Sequence, residues 1–152
     1  MKKFVFLLPL LLLFSCNKTT LFTKTIDDFD NNRWQKSEVK TFEFDIKKDV
    51  ENADIKLIFS HTFDPQYERV PLELTIQSPD GVKDNMFLNL QLKDGSGNSI
   101  SDCAGDICDL EMNLKEEMKM LAGKYIITVE NKFEGEYIPN VLALGIMVEN
   151  ED

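Results

Sequence analysis

Across most of the chain beyond Trp34, apolar and polar residues alternate with a period of two. Phe42, Phe44 and Ile46 share one parity, with Glu43, Asp45 and Lys47 on the other. Ile55, Leu57, Phe59, His61 and Phe63 repeat the pattern. So do Val70, Leu72, Leu74 and Ile76, and then Leu88, Leu90 and Leu92. Tyr125, Ile127 and Val129 follow, and Leu142, Leu144, Ile146 and Val148 close the series. Successive strand side chains point to opposite faces, so each run predicts a strand with one face buried and one in water. Asp64-Pro65, Ser78-Pro79-Asp80-Gly81 and Asp94-Gly95-Ser96-Gly97-Asn98 lie between the runs and carry turn chemistry. The expected fold is all-β: an antiparallel β-sandwich of about seven or eight strands.

Two stretches break the alternation. Leu110, Met112 and Leu114 alternate, but Leu114, Met118 and Leu121 have helical spacing among Glu116, Glu117 and Lys119. The expectation is a strand to about Leu114, then a loop or one helical turn. Asn17 to Asn32 is polar and uneven, with Leu21, Phe22, Ile26 and Phe29 scattered through it. Its first half reads as a tether. Asp27, Asp28 and Asp30 with Asn31 and Asn32 read as a solvated turn in preference to a cation-binding cluster.

The amino end follows other rules. Lys2 and Lys3 precede an apolar run, Phe4 to Phe14, and Ser15, Cys16 and polar Asn17 follow it. This is the layout of a secretory signal. The run has eleven residues, whereas a membrane-spanning helix needs roughly 20. Leu13-Phe14-Ser15-Cys16 resembles a bacterial lipobox. The resemblance implies a signal peptide over 1–15, removed so that Cys16 becomes a lipid-bearing amino terminus. Residues 16–32 would then be the lipidated terminus and tether, and 33–150 the sandwich. The implied address is the cell envelope, with Asn17 favouring the outer membrane.

Charge narrows the partners. Loss of Lys2 and Lys3 takes the formal charge from −10 to −12. Nucleic acid is a poor ligand for such a chain, because phosphate binding rests on Lys and Arg. Acidity also argues that the lipid, not a basic patch, makes the membrane link.

Of the three cysteines, Cys103 and Cys108 remain once Cys16 is assigned. In an exported chain this pair suits a disulfide across a turn at Gly105. Two free buried thiols are the alternative. A metal site is disfavoured, since two thiolates with no nearby histidine do not complete a zinc shell.

Little else suggests chemistry. His61 is the one histidine, so any Ser-His-Asp relay would have to use it. Its parity with Phe59 points instead to a hydrogen-bonded structural role. Asp94-x-Ser96-x-Asn98 begins like a calcium loop, but Ser99 and Gly105 stand where glycine and a bidentate acid are needed. A hairpin turn is the better reading. Trp34, Tyr67, Tyr125 and Tyr137 are candidates for sugar stacking, or for core and edge packing. No catalytic residue, metal site or cofactor is assigned.

The order of several short pieces is informative: Asp27 to Trp34, Phe42-Glu43-Phe44, Phe63-Asp64-Pro65-Gln66-Tyr67, Pro79-Asp80-Gly81, Asp94-Gly95, Gly105-Asp106-Ile107, Gly123-Lys124-Tyr125, Ile138-Pro139-Asn140-Val141 and Leu144-Gly145-Ile146. Together with the lipobox cysteine they resemble the GldH family of gliding-motility lipoproteins of Bacteroidota. The resemblance implies a lipid-anchored β-sandwich used in surface gliding and associated secretion. The lack of a catalytic constellation and the exposed sheet faces and edges add the expectation of a non-enzymatic protein that contacts other envelope proteins. The Cys103/Cys108 pair is not required by that pattern. A surface glycan-binding or adhesion domain is the alternative, and a hydrolase a distant third.

Overall fold

The computed structural model describes residues 18–151, and Cys16 and the expected signal peptide lie outside them. Eleven strands make up the fold: β1 (Lys18–Ile26), β2 (Arg33–Gln35), β3 (Lys40–Ile46), β4 (Val50–Thr62), β5 (Arg69–Gln77), β6 (Lys83–Gln91), β7 (Asp102–Ala104), β8 (Ile107–Met120), β9 (Gly123–Asn131), β10 (Tyr137–Pro139) and β11 (Val141–Glu151). One sheet runs β1-β11-β4-β8-β7 and faces a second, β3-β9-β5-β6. All pairings are antiparallel. The architecture is the expected sandwich. Its strand number exceeds seven or eight because β1 and the short β2, β7 and β10 are added.

The core is built from the alternating positions. Phe42, Ile55, Leu57, Phe59, Leu72, Leu74, Leu90 and Ile127 are almost wholly buried between the sheets. Burial of each such side chain contributes roughly 1.5–3 kcal/mol. The β2–β10 ribbon closes one end of the sandwich. Trp34 sits there with no exposed surface. Its Nε1 donates to the Glu38 carbonyl at 2.9 Å, and Asn131 Nδ2 donates to the Trp34 carbonyl at 2.9 Å. Lys40 lies over the Phe29 ring at 4.5 Å and pairs with Glu38 and Asp28.

Two expectations are corrected. Lys18–Ile26 is not a tether but an edge strand, paired with β11 from Lys18↔Glu151 to Ile26↔Leu144. The Phe22 ring stacks on Phe44 at 4.5 Å, tying β1 to the facing sheet. A bulge between Thr20 and Phe22 shifts the register and hides the period of two. The folded unit therefore starts at or before Lys18, not near residue 33. Likewise β8 continues past Leu114 to Met120 with no helical turn. Register shifts against β4 near Ala53 and Ile55, and Glu117 at φ 50°, insert extra residues. Glu116 and Glu117 are both exposed there, so Leu114 and Met118, which pack against the core, fall four residues apart. Among the described residues the helical content is one 3-10 turn, Asp30–Asn32. Asn31 and Asn32 there have φ of 52° and 56°, which asparagine tolerates better than most residues.

Candidate functional site

β4 points His61 to the interior, beside Cys108 of β8 and Val141 of β11. The ring has no exposed surface and stacks near Phe59 at 5.9 Å. Its Nδ1 lies 2.8 Å from the Thr62 carbonyl, which can only accept, so Nδ1 carries the proton. Nε2 then accepts from Ser101 Oγ at 2.8 Å. Burial pushes the imidazole below its ordinary pKa, against the opposing influence of the Thr62 carbonyl and the Asp109 charge. A hydroxyl–imidazole pair is thus present. Yet the group orienting the ring is a backbone carbonyl, not a carboxylate, and the ring is sealed from substrate. The arrangement orders the strand and loop ends. Phe63, expected on the same buried face, lies beyond the strand and is 59% exposed. Ser101 carried no local signal, being forty residues away in an irregular loop.

Cys103 and Cys108 face each other across the β7–β8 hairpin, with sulfurs 2.03 Å apart and Cα atoms 4.0 Å apart. Gly105 makes the turn at φ 65°, a value that suits glycine. The other candidates separate. Trp34 and Tyr125 are buried and offer no platform to a sugar. Tyr67 donates its hydroxyl to the Pro139 carbonyl at 2.7 Å, and burial raises its pKa well above the ordinary value. Tyr137 stacks under the Arg33 guanidinium, 4.7 Å from the ring centroid. The Asp94 carboxylate accepts from the Asn98 and Ser96 amides at 2.9 and 2.8 Å, which hold its pKa down. Both contacts belong to the turn.

The outward face of the β1-β11-β4-β8-β7 sheet is a lattice of ion pairs. Lys56 bridges Glu111 at 2.7 Å and Glu149 at 3.0 Å, which raise its pKa. Asp54 is 6% exposed. It accepts from the Glu117 amide at 3.0 Å and from Lys18 Nζ at 3.3 Å, and its pKa is lowered, chiefly by the first. A shallow depression of about 440 Å³ lies among these side chains. Its lining sets Lys18 and Lys56 against Asp54, Glu111, Glu116, Glu117 and Glu151, so it stays acidic. Among the described residues no three His, Cys, Asp or Glu side chains are grouped to hold a metal.

The opposite flank is different. β7 pairs with only the first three residues of β8, and β6 ends its sheet. Among the described residues no strand pairs with the outer edge of β6, or with β8 beyond Asp109 on that side. Lys115 and Asp84 bridge the two edges at 2.6 Å. Between them Met86, Leu88, Leu110, Met112 and Leu114 are only partly buried against the core. Phe87, on the outer face of β6, is 76% exposed. Free strand edges with apolar side chains between them are what an extended partner segment pairs with.

Fold and site define a β-sandwich with an unpaired β6–β8 flank and, among the described residues, no assembled catalytic centre. The model of the GldH lipoprotein family matches residues 22–148. The gliding motility lipoprotein GldH of Flavobacterium johnsoniae is 25% identical over 157 residues, covering 97% of this chain and 96% of that protein. The chain belongs to the GldH lipoprotein family, whose members are lipid-anchored at the cell envelope. Two solved structures are similar at lower levels. The Aeromonas sobria serine protease–chaperone complex has a TM-score of 0.42 and 12% identity, over 90% of this chain and 27% of that one. Dimeric latent PorU of Porphyromonas gingivalis has a TM-score of 0.38 and 10% identity, over 86% and 13%.

Proposed function

We propose that this chain is a non-enzymatic component of a gliding and secretion machinery, anchored through Cys16 to the outer membrane and working by contact with other envelope proteins. The observation that carries this reading is the family match across residues 22–148. The free β6–β8 flank supports it by offering backbone edges and apolar side chains to a partner. Exported lipoproteins need no cofactor to act in this way, and the His61 environment favours order over turnover. The test is deletion of the gene in its own host. Loss of surface gliding or of secretion to the surface, restored by the wild-type copy, is the expected result. Normal gliding and normal secretion in the deletion strain would overturn it.

A further inference from the structure

With Cys16 as the lipidated residue, the position of β1 bears on which end of the domain would meet the membrane. β1 begins at Lys18, so only Asn17 separates the described sandwich from Cys16. Two residues of extended chain span at most about 7 Å. A nine-residue strand such as β1 is roughly 30 Å long. The lipid-bearing residue therefore cannot reach the bilayer unless the Lys18 end of the sandwich lies almost on it.

That end is built from three loops. Residues 47–49 join β3 to β4, 78–82 join β5 to β6, and 121–122 join β8 to β9. They are tied together. Asp49 Oδ1 accepts from the Ala122 amide at 2.8 Å, and Pro79 packs against Gly123. Lys47, Lys48 and Lys83 are exposed there and form no ion pair with a described residue. Val82 and Leu121 are 61% and 41% exposed. A small, mostly apolar notch of about 140 Å³ lies beside Lys47 and Lys48, lined also by Leu21, Asp45, Ile46, Val50 and Asn150. Lys47, Lys48 and Lys83 beside exposed aliphatic side chains suit the phosphate-to-acyl boundary of a lipid surface, while the two carboxylates of these loops, Asp49 and Asp80, each accept a backbone amide there.

We propose that loops 47–49, 78–82 and 121–122 rest on the bilayer, with Lys47, Lys48 and Lys83 at the headgroup phosphates. Val82 and Leu121 then sit at the interface. The sandwich stands upright, and Phe63, Ile107 and the Cys103/Cys108 hairpin point away from the membrane. The β6–β8 flank runs up its side, clear of lipid. This rests on Cys16 being the lipidated residue.

The test compares the full lipidated protein with Cys16→Ser protein lacking the signal. The lipidated form is reconstituted in vesicles of phosphatidylethanolamine with phosphatidylglycerol. Lysines are acetylated briefly and read by mass spectrometry, and the intact mass is taken in parallel. The proposal predicts Lys47, Lys48 and Lys83 reacting at least several-fold more slowly in the vesicle-bound form, with Lys36 unchanged. A lipid-modified mass with Lys47, Lys48 and Lys83 as reactive as in the soluble form overturns the orientation and leaves the anchor standing. Protection of Lys36 instead also overturns it. A mass lacking lipid at Cys16 overturns the anchor and the proposal together.

Discussion

Ser101 donates a hydrogen bond to His61 Nε2 at 2.8 Å inside the sandwich, while the other ring nitrogen is held by the Thr62 carbonyl. The pair looks like the start of a relay, but with no orienting carboxylate and no exposed ring it holds a neutral imidazole in place. Folded His61 takes up its proton below the ordinary value of 6.5. The unfolded chain binds more protons between the two values, so stability is full above about pH 6.5 and falls as pH drops through that window. Urea unfolding of the wild type should show this step, and His61→Gln should lack it. Identical pH profiles for the two proteins would contradict the neutral, buried assignment.

Trp34 plugs the β2–β10 end of the core and gives both its indole N–H and its carbonyl to that closure. Trp34→Ala should cost about 3–5 kcal/mol, the usual range for a buried aromatic. Denaturant titration measures it. A glycan-stacking tryptophan would be exposed, and its removal would leave the midpoint nearly unchanged.

Asp54 joins three strands, taking the Glu117 amide of β8 and the Lys18 ammonium of β1 onto β4. Its carboxyl is held below the ordinary 3.8. The stabilisation is complete above about pH 4 and is lost as pH falls further, well apart from the His61 step. Asp54→Ala leaves the Glu117 amide without this acceptor and should cost about 1–3 kcal/mol. Asp54→Asn, which keeps an acceptor, should cost less, and equilibrium unfolding at pH 7 separates the two.

Cys103 and Cys108 close a small ring across β7–β8. Protein purified from the envelope without reductant should resist alkylation at both positions. Cys103→Ser/Cys108→Ser should lower stability by about 2 kcal/mol in the chain-entropy model. Alkylation of both thiols in the unreduced native protein would show the bond absent.

Gly123 has φ 131°, and a Cβ there would meet Pro79 Cβ at 2.7 Å. Gly123→Ala should destabilise by more than about 1 kcal/mol, since both the backbone angle and the contact oppose it. Thermal unfolding gives the check. An unchanged midpoint would mean that the β5–β6 turn gives way freely.

Strict alternation made β3, β5, β9 and most of β4 and β11 legible, because one parity of each packs between the sheets and the other meets water. β1 was not legible: its bulge at Thr20 to Phe22 scatters Leu21, Phe22 and Ile26. The second half of β8 was masked in the same way by bulges opposite Ala53 and Ile55. A bulge leaves a strand intact but destroys the period by which it is read. That Cys103 and Cys108 would face each other across a turn at Gly105 was legible from their spacing. The Ser101 partner of His61 was not, because it depends on how a distant loop folds back. The open flank was equally hidden. It follows from the shortness of β7 and from which strands lie at the sheet edges, and neither is a property of one segment.

The account rests on contact made by an anchored sandwich along its free β6–β8 flank, and Phe87, on the outer face of the edge strand β6, is the most exposed apolar side chain of those two strands. The most direct test is to exchange Phe87 for aspartate in the chromosomal copy and measure gliding and surface secretion together with envelope levels of the protein. A surface exchange of this kind should leave the fold within about 0.5 kcal/mol. The account predicts wild-type abundance with gliding or secretion lost or sharply reduced. Wild-type gliding and secretion by the Phe87→Asp strain would contradict it.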